Sequence, residues 1–178
     1  MGRIKYCRVL LLLMISACNR NPKIVPLPAP KQDYSQEIIS VNKEIVRREQ
    51  ADIKLLSKRY NWDLVQTESG LYYQILNPNQ LPKAQKGDIV QLKGNISTAD
   101  GNIIYNTRRD GIKEMRVLGS EDIVGLHELV QLMSEGEQAR AIIPSFLAYG
   151  ISGDGMDVAA LSSVICEIEI IKIVKQNS

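Results

Sequence analysis

The spacing of hydrophobic and polar positions changes several times along the chain, and each change marks an element. Val9–Ile15 (VLLLLMI) is an uninterrupted apolar run behind Arg3, Lys5 and Arg8. It falls well short of the roughly 20 apolar residues needed to cross a hydrocarbon core of about 30 Å, and it has the length and basic flank of a signal-peptide core. From Tyr34 to Leu64 the period is helical: Ile38, Val41 and Ile45, then Ile53, Leu56 and Tyr60, follow steps of three and four. Arg47-Arg48-Glu49-Gln50 interrupts that stripe in the middle, and the opposite face is polar. The pattern predicts a helical lead-in over 34–65. Its apolar side either packs on its own domain or forms a dimer or partner seam.

From Ser69 the period shortens to that of strands. Gly70–Leu76 alternates and is rich in β-formers, and Asn77–Ala84 reads as a loop with two prolines. Val90–Ser97 and Ile103–Asn106 are strands joined through Asp100-Gly101, a hairpin signal. Met115–Leu118 is a further strand candidate. Apolar residues at 123, 126, 129, 130 and 133 predict one short amphipathic helix over Ile123–Ser134, closed by Gly136. Ala139–Ile143 and Val164–Val174 return to strand, the last (VICEIEIIKIV) as a long alternation with one face to bury. The fold class is α+β, a curved antiparallel sheet wrapped on one short helix and preceded by a helical segment.

Cysteine and charge narrow the chemistry. Ile15-Ser16-Ala17-Cys18 resembles the lipobox of bacterial lipoproteins, in which small residues lead directly into the cysteine that receives lipid. The resemblance implies a signal peptide over 1–17, cleavage before Cys18 and a membrane anchor on it. Asn19–Lys31 (NRNPKIVPLPAPK) has neither helical nor strand period and reads as an extended proline-rich tether, so 18–33 lifts a domain off the bilayer. Asn19, rather than aspartate, follows the cysteine, which in the lipoprotein sorting rule implies the outer membrane. No acidic cluster follows Cys18, which favours the periplasmic face. Cys7 leaves with the signal peptide, so Cys166 alone is left as a free thiol and no internal disulfide or metal-ligand spacing remains. His127 is the sole histidine, which excludes a histidine-centred triad and leaves no metal site to expect. The net charge is +2, with Lys and Arg scattered, so there is no nucleic-acid footprint.

The ordered fragments of 66–178 then carry a resemblance. Gly87-Asp88-Ile-Val90, Asp100-Gly101-Asn-Ile-Ile104, Leu118-Gly119, Ile123-Val-Gly125-Leu126, Leu132-Met133, Gly136, Ile143-Pro144, Ala148-Tyr149-Gly150 and Glu167-Ile-Glu169 resemble the FKBP-type peptidyl-prolyl isomerases. Pro144–Asp154, with Ile103–Asn106 and the lipobox, resembles the gliding-motility-associated lipoproteins of that class. The resemblance implies a proline isomerase and foldase for proline-containing exported polypeptides, working without cofactor. The alternative is a binding module of a membrane or secretion complex built on the same fold. It implies that Tyr149 donates a hydrogen bond to substrate and that Ile123 presents its backbone amide. Leu126 falls at the pocket floor, where the family has tryptophan. Ile104 falls at a phenylalanine position, Val158 at a capping isoleucine and Cys166 at another phenylalanine. Tyr105 replaces an aspartate and either fills the pocket or packs. Gly94 falls where a first-strand tyrosine is expected, and Glu114 or Arg116 near another aromatic position. Taken without the resemblance, Ile123 and Leu126 suit the core of any amphipathic helix, and Cys166 suits a buried inert thiol.

Overall fold

The computed structural model describes residues 33–176. The expected signal peptide and most of the expected tether, Cys18 included, lie outside the described residues. The chain forms two compact units that meet between Ile39 and Ser40 in sequence. Of the first unit, only the opening residues of the lead-in helix are described. No described helix is long and apolar enough to cross a membrane.

The lead-in is α1 (Asp33–Tyr60), which ends four residues before the predicted Leu64. Asn61 takes up the left-handed conformation at φ 53°. The Trp62 N–H donates to Ser57 O at 2.9 Å and the Asn61 N–H to Lys58 O at 3.2 Å, the paired bonds of a Schellman cap. The reversal turns Trp62 back onto the sheet.

Seven strands follow: β1 (Val65–Gln66), β2 (Tyr72–Ile75), β3 (Ile89–Thr98), β4 (Ile103–Asn106), β5 (Lys113–Arg116), β6 (Gln138–Ile143) and β7 (Val164–Val174). A four-residue helix, α2 (Thr107–Asp110), separates β4 from β5, and α3 (Val124–Gln131) lies between β5 and β6. All pairings are antiparallel, in the order β1-β2-β6-β7-β3-β4, with β5 beside the first half of β3. The predicted helix over Ile123–Ser134 is shorter in the structure, because Leu132 already caps it. The strand expected at Met115–Leu118 begins two residues earlier.

Alternation sorts the side chains. On β6, Ala139, Ala141 and Ile143 face α3, joined by Val90, Leu92 and Ile96 of β3 and Cys166, Ile168 and Ile170 of β7. Leu126, Leu129 and Val130 of α3 close this core. Helix and strand come close because position 125 is glycine: a Cβ there would lie 2.3 Å from Ile143 Cγ2. The other sheet face offers Tyr72, Ile142 and Ile165, and Ile53 and Trp62 cover them, with Leu56 at the edge. The lead-in therefore packs on its own domain through Ile53 and Leu56, while Val41, Val46, Leu55 and Tyr60 stay exposed. Fully burying a residue such as Ile53 contributes about 1.5–3 kcal/mol.

Two register shifts curve the sheet. Between β3 and β7, Gln91 pairs Lys172 while Leu92 pairs Ile170, which leaves Ile171 extra. Between β3 and β4, Ile96 pairs Tyr105 while Ser97 pairs Ile103, which leaves Ile104 extra. Such bulges bend a strand and re-aim its side chains.

Candidate active site

The bulge at Ile104 is where the site begins. Regular alternation would send Ile104 and Tyr105 to opposite faces. With Ile104 unpaired, both border one cavity of about 350 Å³, together with Ile96, Ile123, Leu126 and Tyr149. Leu126 is 1% exposed and forms the floor as part of the core. Arg109 holds the bulge in shape: its guanidinium donates to Ile104 O at 3.0 Å and pairs with Asp110 at 2.7 Å. The Arg109 guanidinium and the Asn106 amide keep the Asp110 carboxyl below the usual range.

Tyr105 is 8% exposed, and its hydroxyl is committed to structure. It accepts from the Lys113 N–H at 3.2 Å and lies 2.7 Å from Gly111 O, to which it donates. Its ring borders the cavity while its oxygen ties β4 to β5.

Ile123 is the N-cap residue of α3, extended at φ −67° and ψ 146°. Its carbonyl accepts from the Leu126 and His127 amides, while its own N–H has no acceptor among the described residues. The preceding Asp122 carboxylate pairs with Lys113 of β5 at 2.9 Å, and both side chains are partly buried. That pair fixes the segment carrying the free amide against the strand that Tyr105 anchors.

Tyr149 is half-buried in the loop after β6. Its hydroxyl has no hydrogen-bond partner among the described residues. Burial pushes its ionisation up, and the carboxylates of Asp154 and Asp122 add to the effect. The phenol therefore stays protonated, and a donor, at neutral pH. The loop is built on Ser145, whose carbonyl accepts from the amides on either side of the tyrosine: Ala148 N–H at 3.0 Å and Gly150 N–H at 2.8 Å.

Two readings from the sequence need correction, those of Cys166 and Val158. Cys166 does not border the cavity. It pairs with Ile96 on one side and Ala141 on the other and is fully buried, its small side chain ending in the core. Burial pushes the thiol up to about 12. Val158 does not border it either. The Asp154 carboxylate accepts from the Val158 N–H at 2.8 Å and from the Met156 N–H at 2.9 Å, folding that loop into its own turn with Val158 inside. Gly94 cannot stand for an aromatic wall, since a Cβ there would lie 2.0 Å from Glu167 O; Leu92 and Ile96 carry that face of β3. Glu114 and Arg116 are exposed on β5 and point away from its buried Met115.

The sequence reading missed Ile96 and the charged rim of Arg109, Asp110, Lys113, Glu121 and Asp122. The signal for Ile96 is the alternation of β3. The rim residues are scattered over a short helix, a strand and a loop, and nothing in their spacing joins them.

The site is an open hollow with an apolar floor and a charged rim, bearing one free phenol and one free amide, on a curved antiparallel sheet around a short helix. The family profile described as FKBP-type peptidyl-prolyl cis-trans isomerase matches residues 81–171. The chain belongs to that family.

Its relatives include the probable FKBP-type peptidyl-prolyl cis-trans isomerase FkpA of Neisseria meningitidis, 32% identical over 60% of this chain and 39% of that protein. Another is the outer membrane protein MIP of Legionella longbeachae, 30% identical over 63% of this chain and 48% of that protein. The chain thus spans less than half the length of either. Among solved structures, a peptidyl-prolyl cis-trans isomerase of Pseudomonas syringae superposes with a TM-score of 0.63 at 21% identity, over 84% of this chain and 99% of that one. FkpA from Escherichia coli superposes at 0.62 and 18% identity, over 82% and 74%. At those identities the likeness is one of fold.

Proposed function

We propose that this protein is a peptidyl-prolyl cis-trans isomerase acting on exported polypeptides, held by lipid on Cys18 at the periplasmic face of the outer membrane. The observation that carries the catalytic part is the free Tyr149 hydroxyl beside a hollow floored by Leu126, with the free Ile123 amide on the same rim. Support for the location comes from the lipobox and from a relative named as an outer membrane protein.

The chemistry asks little of the protein. The planar amide is held by resonance behind a barrier of about 18–20 kcal/mol. Twisting an X-Pro bond localises the lone pair on the proline nitrogen and leaves the group less polar than the planar form. The apolar floor formed by Ile96, Ile104, Ile123 and Leu126 takes up the proline ring and lowers the polarity around the amide, which disfavours the planar state relative to the twisted one. Ile123 N–H and Tyr149 O–H are donors that hold carbonyl oxygens of the peptide while it turns. No proton is transferred and no covalent bond forms.

A protease-free proline isomerisation assay on the full chain in detergent tests this. A neutral hydrogen bond contributes roughly 0.5–1.5 kcal/mol net, so Tyr149→Phe should lower kcat/KM by only several-fold. Tyr149→Ala also removes wall and should cost substantially more, with circular dichroism confirming the fold. An active parent indifferent to both substitutions would place the chemistry elsewhere.

The alternative is a binding module of a membrane or secretion complex with little or no catalysis. The rim favours it, because Arg109–Asp110 and Lys113–Asp122 put ion pairs around the hollow where a dry pocket would have rings. A parent that binds a proline peptide but leaves its isomerisation at the uncatalysed rate would select this reading.

A further inference from the structure

The break in the apolar stripe of α1 has a partner. Glu49 stands in phase between Ile45 and Ile53, four residues from each, where the pattern calls for an apolar side chain. Its carboxylate instead accepts three bonds from the domain: the Ser145 N–H at 2.6 Å, the Ser145 hydroxyl at 3.1 Å and the Ser163 hydroxyl at 2.7 Å. Ser145 and Ser163 bracket the segment that carries Tyr149. The Ser145 carbonyl, on the far side of the same residue, takes the amides of Ala148 and Gly150. The Gly150 carbonyl in turn accepts from the Leu161 N–H at 2.9 Å, two residues short of Ser163. A chain of hydrogen bonds thus runs from one carboxylate on the lead-in helix, through Ser145, to both neighbours of the tyrosine.

We propose that Glu49 is a positioning residue for Tyr149. The lead-in helix acts on the site by holding the two ends of the Tyr149 loop at a fixed separation, so that the phenol stays aimed over the hollow. A carboxylate suits the task because bonds to an ionised acceptor are short and strong. It can also serve three donors at once, which a hydroxyl or an amide oxygen in the same place could not do as well. Packing alone would have been met by leucine at this position. The kinetic arm of the test rests on the isomerase reading above; the exchange arm does not.

The experiment compares the full chain with Glu49→Ala, Glu49→Gln and Ile53→Ala. Amide hydrogen exchange of Ala148 and Gly150 is referenced to the β7 amides in the same sample, and proline isomerisation is followed in parallel. Glu49→Ala should speed exchange at those two amides by about tenfold while β7 is unmoved, the mark of a local opening. Its kcat should fall several-fold, no further than in Tyr149→Phe, with KM unchanged, as expected when a bond made in the transition state is misaimed. Glu49→Gln keeps one oxygen for Ser145 N–H and Ser163 O–H and should restore most of both. Ile53→Ala weakens the packing of α1 and should lower Tm without singling out the loop. Parent-like loop exchange in Glu49→Ala would overturn the proposal, as would loop opening in Ile53→Ala as large as in Glu49→Ala. If the parent shows no catalysis, the isomerase reading fails, and the exchange comparison alone decides whether the clamp exists.

Discussion

Cys166 and Tyr149 are neighbours with opposite fates, and the difference is one of solvent. Tyr149 keeps a polar atom at the cavity edge, whereas Cys166 ends among apolar side chains, where burial keeps the thiol protonated with its ionisation pushed up to about 12. The thiolate is the reactive form. An alkylating reagent at mildly alkaline pH should therefore leave Cys166 of the folded chain unlabelled and react with it in denaturant, as mass spectrometry would record. Labelling under native conditions at the denatured rate would put the thiol on the surface and reopen its role as a pocket wall. Tyr105 shows a third outcome: its ring serves the cavity while its hydroxyl serves the fold.

Between elements, the decisive contact is α3 on β6. Gly125 lets the helix approach until Ile143 fills the space a side chain would take. Gly125→Ala must push α3 outward, because the added methyl meets Ile143 Cγ2 at 2.3 Å. Overpacking of this kind costs about 1–3 kcal/mol, to be read from the urea midpoint. The same displacement would carry the Ile123 amide off the rim, so activity should fall even where the variant remains folded. A variant as stable and as active as the parent would mean that α3 has slack which the packing does not show. The ion pair from Lys113 to Asp122 works in the same sense, tying the start of α3 to β5.

At the scale of the whole molecule, one tie lies within the described residues and a second is proposed. Asp88, 3% exposed, joins the start of β3 to the residues after β7. Its carboxylate accepts from the Lys175 ammonium at 2.7 Å and from the Gln85 and Gln176 amides at 2.8 and 3.4 Å. Burial alone would raise this carboxyl; Lys175 and the two amides outweigh burial and hold it below the ordinary range. A group whose folded pKa is depressed stabilises fully above its unfolded pKa and loses that contribution as pH falls through the folded value. Asp88→Asn should therefore lower the denaturation midpoint at neutral pH, and its gap from the parent should close in acid. A gap that widened in acid would reverse the assigned sign. The other tie is the proposed lipid on Cys18. Cys18→Ser should abolish metabolic lipid labelling and release the protein from the membrane fraction or leave it uncleaved; labelling that persists would rule the anchor out.

Much of this architecture was written in period alone. The steps of three and four in α1 and α3, and the alternation of β3, β6 and β7, follow from geometry that each segment expresses locally. So did the α+β class, the Asp100-Gly101 hairpin and the placing of Leu126 and Ile123 on the inward side of a short helix. The ordered motifs around Tyr149 were enough to mark the family resemblance. The tertiary structure decided what depends on a register or on a distant partner. One unpaired residue at Ile104 turned two consecutive side chains into the same hollow, and a bulge leaves no mark in hydrophobic period. Cys166 and Val158 were excluded from the cavity by neighbours in other strands and turns. Glu49 was legible as a fault in a stripe, but its meaning lay about a hundred residues away, at Ser145 and Ser163. Periodicity reports which face of an element is buried; only the folded chain decides which side chains meet there, because their meeting is set by pairing and close packing between segments far apart in sequence.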